Sequence, residues 1–332
     1  MLELLADAFS RVQQAVFEGA VQPLLFSLGL ASLIEDAHLG TGWLVAGVLQ
    51  LLVIATAFGL LEAWRPVEPV VDRPAIRTDI AYSLIHRLGL FRLAMFFSVD
   101  AFAIQLASAL RLHGWQPWQA DGLWPGVTDQ PWVSFVIYLL IFDFVDYLVH
   151  RGQHGWQRWW ELHALHHSQR QMTRWSDNRN HLLDDVFRDL VIVGVALAVG
   201  VAPAQFVAIV VVTQLLESLS HANLRLDFGP VLGRVLVGPA YHRQHHAIGV
   251  GHESRGPGSL GGCNFAVLFP LWDMLFGTAD FDLRYPPTGI RDQLPEAGGR
   301  DYGRGFWRQQ WLGLQRFVRP RRADAGPVRI RA

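Results

Sequence analysis

From Trp43 to Leu61 the chain runs for nineteen residues without a charge. A helix of that length crosses the hydrocarbon core of a bilayer with its backbone hydrogen bonds made internally. A soluble core helix fits such a run poorly, so this segment constrains the whole fold. Leu88–Leu110 reads as a second span, in which Arg92 and Asp100 must snorkel or pair. Trp132–Val149 reads as a third and carries Asp143 and Asp146. Gln14–Ile34 is weaker, with Glu18 and Pro23 inside it. Val186–Ser218 reads as a helical hairpin around Pro203, its arms of roughly sixteen residues short for a full crossing. The fold class predicted is an all-α integral membrane protein: about four transmembrane helices plus a helical hairpin, with a cytosolic helical cap over them.

Arginine sets the orientation. The segment between the first and second of these strong spans holds Arg65, Arg73, Arg77 and Arg87, whereas 35–42 holds no arginine and 111–130 only Arg111. That places the N-terminus and the end of the Trp132–Val149 span on the cytoplasmic side. Residues 301–332 carry eight arginines and two aspartates, interleaved with Trp307, Trp311 and Phe317. Such a tail suits an anionic lipid surface or a frayed basic terminus. A net charge of −1 gives no reason to expect a nucleic-acid partner. The single cysteine, Cys263, excludes an internal disulfide and a thiolate-rich metal centre. The N-terminus lacks the basic region of a secretory signal. Three regions are expected: 1–130, membrane helices and loops; 131–280, a catalytic domain; and 281–332, a cytosolic arginine-rich tail.

Three histidine clusters carry the chemistry: His150 and His154; His163, His166 and His167; and His242, His245 and His246. Residues three and four apart share a helix face, so each cluster aims its rings at one place. Eight imidazoles exceed the needs of one ion and point to two. His221 follows the hairpin with Glu217 one turn before it and is a ninth candidate. Bringing the second and third clusters together requires an even number of crossings between them, which the hairpin supplies. His181 is either a ligand or a hydrogen-bonding loop residue; His38, His86, His113 and His252 have no cluster partner and read as non-ligands.

Asp143 and Asp146 lie seven and four residues before His150, within about 40° of its direction on a helix. Carboxylates in a membrane span are costly and functional by default. Asp143, Asp146 and Glu217 are therefore auxiliary catalytic candidates. They would hold the outer nitrogen of an imidazole, ligate directly, or, for the two aspartates, pair with Arg92 or another arginine. Imidazole suits iron, zinc, copper and nickel, and a site without Cys or Met argues against Cu(I). Two irons with four or five imidazoles each would activate dioxygen against a lipid C–H bond. Zinc-dependent lipid hydrolysis, with Glu161 or Glu217 as base, and a non-catalytic metal-binding or transport protein are the competing classes.

The three clusters resemble the histidine boxes of the fatty acid hydroxylase/sterol desaturase superfamily. Asp143-Phe-Val-Asp146-Tyr147 resembles the lead into its first box. Asn264-Phe265, followed by Leu271-Trp-Asp273-Met-Leu-Phe276-Gly277-Thr278, resembles its closing signature. The match runs from about Trp132 to Thr278, with Ala266 where a glycine is usual and Arg225 where some relatives carry a further histidine. The His221-Ala-Asn223 element is closest to the sterol desaturase-like and alkylglycerol monooxygenase-like branches. The resemblance implies a non-heme di-iron, O2-dependent hydroxylase, desaturase or monooxygenase, with the iron ligands on the nine histidines above. No dinucleotide-binding unit or fused heme domain is read in the sequence, so electrons are expected from a separate reductase, cytochrome or ferredoxin-type protein, or from a pterin. Arg151 and Arg243 are candidates to bind a polar head or dock an acidic donor.

Overall fold

A computed structural model describes residues 2–250 and 261–320. His252 and the basic tail beyond residue 320 lie outside the described residues. The described residues are helical throughout, with no β-strand and a single isolated bridge between Ala247 and Thr288. The main helices are α1 (Leu2–Val16), α2 (Ala31–Trp64), α3 (Arg73–Arg87), α4 (Pro131–Gly155), α5 (Gln157–His167), α6 (Leu182–Val199), α7 (Pro203–Ser220), α8 (Pro239–His245) and α9 (Phe306–Val318). Among the described residues, α2, α4 and α7 are long and apolar enough to cross a membrane. The pair Arg73–Arg87 and Leu90–Ser98 would be a fourth span if its 51° bend is spanned as one.

Three of the expected boundaries shift. The run expected as the second span is broken into shorter helices, and the bent pair that could cross in its place begins a full helix earlier, because α3 turns Asp79, Ser83 and Arg87 inward, where they are buried. In the sequence those polar residues read as a loop. The bend falls at Gly89, whose φ of +78° is a left-handed conformation that glycine takes without a Cβ clash. Gln14–Ile34 does not form one span: the N-terminal helical stretch ends at Ser27, and α2 starts afresh after Gly29 and Leu30. The hairpin forms as read, but only α7 is apolar enough to cross. The first turns of α6 carry Asp184, Asp185, Arg188 and Asp189.

A buried core of Tyr138, Leu139 and Phe142 on α4 packs against Val199, Ile209 and Leu268. Beside it, the buried Arg87 donates to Asp177 Oδ2 at 2.6 Å, Ser218 Oγ at 3.0 Å and the Gln214 carbonyl at 3.1 Å. One guanidinium thus ties α3, the 177 loop and α7 together, with its charge paired as burial demands. Glu62, near the end of α2, pairs with Arg174 and accepts the Asn223 N–H at 2.8 Å. The C-terminal helix α9 lies across α5. A Cβ at Gly313 would run into the His181 ring, so glycine lets the helices close. Arg300 meets the fully buried Glu161 at 2.8 Å in the same contact. The outer face of α9 leaves Trp307, Trp311 and Val318 exposed.

Candidate metal centre

Each histidine reaches the centre from the end of a helix. His150 and His154 close α4, His163, His166 and His167 lie along α5, His221 caps α7, and His242, His245 and His246 belong to α8 and its cap. Their rings sort into two groups. His150, His154, His163, His167 and His245 offer ligand nitrogens within 4.8 Å of one another, as do His166, His221, His242 and His246. All nine are buried. The groups abut where the His167 and His246 rings stack at 4.3 Å.

The five-histidine group is held from outside through Nδ1. Backbone carbonyls of Phe265, Gly261 and Cys263 lie 2.8, 3.3 and 2.6 Å from Nδ1 of His150, His154 and His245. Asp184 Oδ2 lies 3.1 Å from His163 Nδ1, while its Oδ1 accepts from Gln153 Nε2 at 2.8 Å and Trp159 Nε1 at 2.6 Å. With Nδ1 engaged, Nε2 is the free donor. Nε2 of His150, His163, His167 and His245 is buried without a protein hydrogen bond. Orphaned buried nitrogens turned to one point are costly unless something binds them.

The four-histidine group shows the same need differently. Nε2 of His221 lies 3.1 Å from Nε2 of His166 and 2.9 Å from that of His242, which in turn lies 3.1 Å from His246 Nε2. An imidazole nitrogen has one proton or one lone pair, so His221 and His242 cannot each hydrogen-bond two such neighbours. A cation bonded at about 2.1 Å to nitrogens at right angles would space them about 3.0 Å apart. The residues fit metal ions in both groups. Burial pushes His245 down to about 3, and burial with mutual repulsion holds His166, His167, His242 and His246 well below the usual imidazole range. Neutral rings have no proton to displace on metal binding.

The three auxiliary carboxylates have other partners. Asp143 accepts from the N–H groups of Leu268 at 2.8 Å and Phe269 at 3.2 Å and from Trp272 Nε1 at 2.8 Å, none of them an imidazole. Asp146 pairs with Arg188 at 2.8 Å, the arginine pairing foreseen as one alternative. Glu217 meets His221 through its backbone carbonyl, 2.8 Å from Nδ1, while its carboxylate lies 3.7 Å from Arg188. His181 stays out of both groups: it accepts from Leu183 N–H at 3.1 Å and donates to the Gln310 carbonyl at 2.8 Å, capping α6. Arg243 is buried against Glu68 at 2.7 Å and the Pro286 carbonyl at 3.0 Å, so it presents no surface to a docking protein.

The segment after the third cluster is a clamp on the tethers. Asp273 accepts from Phe265 N–H at 2.9 Å, Ala266 N–H at 2.8 Å, Thr278 Oγ1 at 2.7 Å and Tyr241 OH at 3.0 Å. Asn264, at φ 57°, bonds the Tyr241 and Asp280 carbonyls and the Asp280 N–H, an αL role asparagine tolerates. Ala266 does not occupy the left-handed region, so no glycine is required there. Arg225 donates to the Pro66 and Val67 carbonyls and leaves the second group at four.

Residues 135–278, which contain all nine grouped histidines, match the family model for fatty acid hydroxylases. Over those residues, a little under half of its length, the chain is similar to the fatty acid hydroxylase family. The chain is 28% identical over 256 residues to an ornithine lipid hydroxylase of Rhizobium tropici, spanning 74% of the chain and 68% of that protein. It is 28% identical over 159 residues to an alkylglycerol monooxygenase of Caenorhabditis elegans, covering 48% of the chain and 29% of that enzyme. A very-long-chain aldehyde decarbonylase of Oryza sativa subsp. japonica is 26% identical over 162 residues, 46% of the chain and 48% of the relative. No solved structure matches the chain significantly. What the sequence reading missed is Asp184 and the carbonyls of 261–265. Asp184 carried one signal, a place in the run of charges, Asp184, Asp185, Arg188 and Asp189, that opens the hairpin.

Proposed function

We propose that the protein is a membrane-bound, dioxygen-dependent oxidoreductase that hydroxylates or desaturates a lipid C–H bond, with two irons held by the nine grouped histidines. The observation that carries this reading is the pair of abutting, buried, all-imidazole groups. Structural zinc seldom uses histidine alone, and imidazole ligands suit iron. Iron in that setting supplies the oxidising power for an unactivated C–H bond when dioxygen and electrons are provided. In a hydroxylation one oxygen atom enters the substrate and the other leaves as water, consuming two electrons and two protons. A separate reductase, cytochrome or ferredoxin-type protein, or a pterin, would supply the electrons.

The chain's own residues do the rest. The 261–265 carbonyls and Asp184 fix ring orientation, the Asp273 clamp keeps those carbonyls in place, and burial excludes water. Relatives named for ornithine lipid and alkylglycerol chemistry support a membrane lipid as substrate. Residues 131–280 would be the catalytic unit, opening on the cytoplasmic side with both termini. Purified protein in membranes is expected to hold about two irons per chain and to consume oxygen only with a reductant and lipid. Stoichiometric zinc with oxygen-independent lipid hydrolysis would replace this reading with a hydrolase. Metal release or translocation without turnover would replace it with a transport or storage role.

A further inference from the structure

Two cavities meet beside the histidines. The inner one, about 60 Å³, touches both groups, being lined by His150 and His163 of one and His166, His221 and His242 of the other. The outer one, about 130 Å³, reaches Phe142, Ile192, Phe206 and Ile209, between α4, α6 and α7. They share Asp146, Asp177, Asn180, Asp185, Arg188 and Glu217 as a common wall. From Glu217 back to Phe206 is about 16 Å along α7. The passage is therefore amphipathic along its length: apolar at its outer end, and ringed by charged and amide side chains just before the histidines.

Part of that ring is unfilled. Asn178 lines the outer cavity with only 9% exposure, and its Nδ2 has no hydrogen-bond partner. Asp177, equally buried and lining both cavities, uses Oδ2 on Arg87 and Ser218 but leaves Oδ1 without a partner. One donor and one acceptor thus stand unmatched on neighbouring residues. A hydrocarbon tail pushed through the ring would strip these groups of water and give nothing back.

We propose that this passage receives the polar end of a lipid, a small head that both donates and accepts hydrogen bonds, such as an amide or a hydroxyl. The apolar chain then lies at the Phe206 end and in the bilayer, so the carbon presented to the histidines lies within or beside the head rather than along the tail. The outer cavity is close in size to one that holds a single benzene-sized group, about 150 Å³, which leaves no room for a fused sterol nucleus. The site of oxidation rests on the oxidase reading; recognition of the head rests on the cavities alone.

Two readouts test it. The first is binding of dodecanamide, monododecylglycerol, dodecane and cholesterol to the full-length protein in phosphatidylcholine nanodiscs. Both headed lipids are expected to bind at least about tenfold more tightly than dodecane or cholesterol, and Asn178→Leu is expected to remove most of that preference. The relative affinities of the amide and the hydroxyl lipid identify the source of the head. The second, which needs no variant, is fragment mapping of the product by mass spectrometry, with oxygen or unsaturation expected at or next to the head. Equal binding of all four lipids, or oxygen in the middle or at the methyl end of the chain, would overturn the proposal. Preferential binding without oxygenation of any lipid would leave head recognition standing and defeat the oxidase reading instead.

Discussion

The five-histidine group is tied to its surroundings through Nδ1, by three loop carbonyls and Asp184, whereas the four-histidine group has, among the described residues, one such tie, from the Glu217 carbonyl to His221. In the second group Nδ1 of His166, His242 and His246 is buried without a hydrogen bond, and the rings crowd one another at Nε2. The first group is oriented before any ion arrives. The second would depend on an ion for its geometry, and three of its four members face the passage that leads toward the apolar cavity. Rigid tethering on one side and exposure to the passage on the other suit a pair of ions of which one is anchored and the other accessible.

The sharpest way to break this contrast is to remove one ligand from the untethered group. His242→Ala is expected to lower bound metal from about two ions per chain to about one and to cut turnover by about a thousandfold or more, as measured by metal analysis and oxygen uptake. Loss of both ions would show that the groups are not independent. Next in size is the clamp. Asp273→Ala strands the N–H groups of Phe265 and Ala266, so a destabilisation of about 3 kcal/mol is expected in denaturant unfolding. Metal should be lost from the five-histidine group first. Asp184→Asn keeps the shape but weakens the hold on His163, and metal affinity is expected to fall about ten- to a hundredfold, with the four-histidine ion retained.

The last test is acid stability of the metal-free protein. His245 is held down to about 3 in the fold against about 6.5 when unfolded, so the unfolded state binds more protons between those values. Stability is therefore expected to be intact above about 6.5 and to fall as pH drops toward about 3, with bound metal delaying the loss. Thermal unfolding across that range, with and without metal, reads it directly.

The sequence revealed the histidines because helix periodicity is local: positions three and four apart must share a face whatever the rest of the chain does. The grouping of His167 with His154 but His166 with His221 was not legible, since adjacent residues on α5 diverge by a third of a turn toward different partners. Asp143 illustrates the same limit. Its direction on α4 was readable, but the segment from Leu268 to Trp272 folds back and takes both of its oxygens. The tethers on His150, His154 and His245 are backbone carbonyls, which leave no residue signature. The bend at Gly89 hid because α3 turns charged residues inward, which reverses the usual reading of polarity.

Among the described residues, neither histidine group includes a carboxylate. Nine neutral rings can share electron density with a cation but cannot cancel its charge. Any ions held there would have to be balanced from farther out, by Asp184 one hydrogen bond away and by Asp146, Asp177 and Glu217 around the passage. Those acids are expensive in a membrane protein and already share the charges of Arg87 and Arg188, so the negative charge left to balance an ion would be what the wall holds beyond its own arginines.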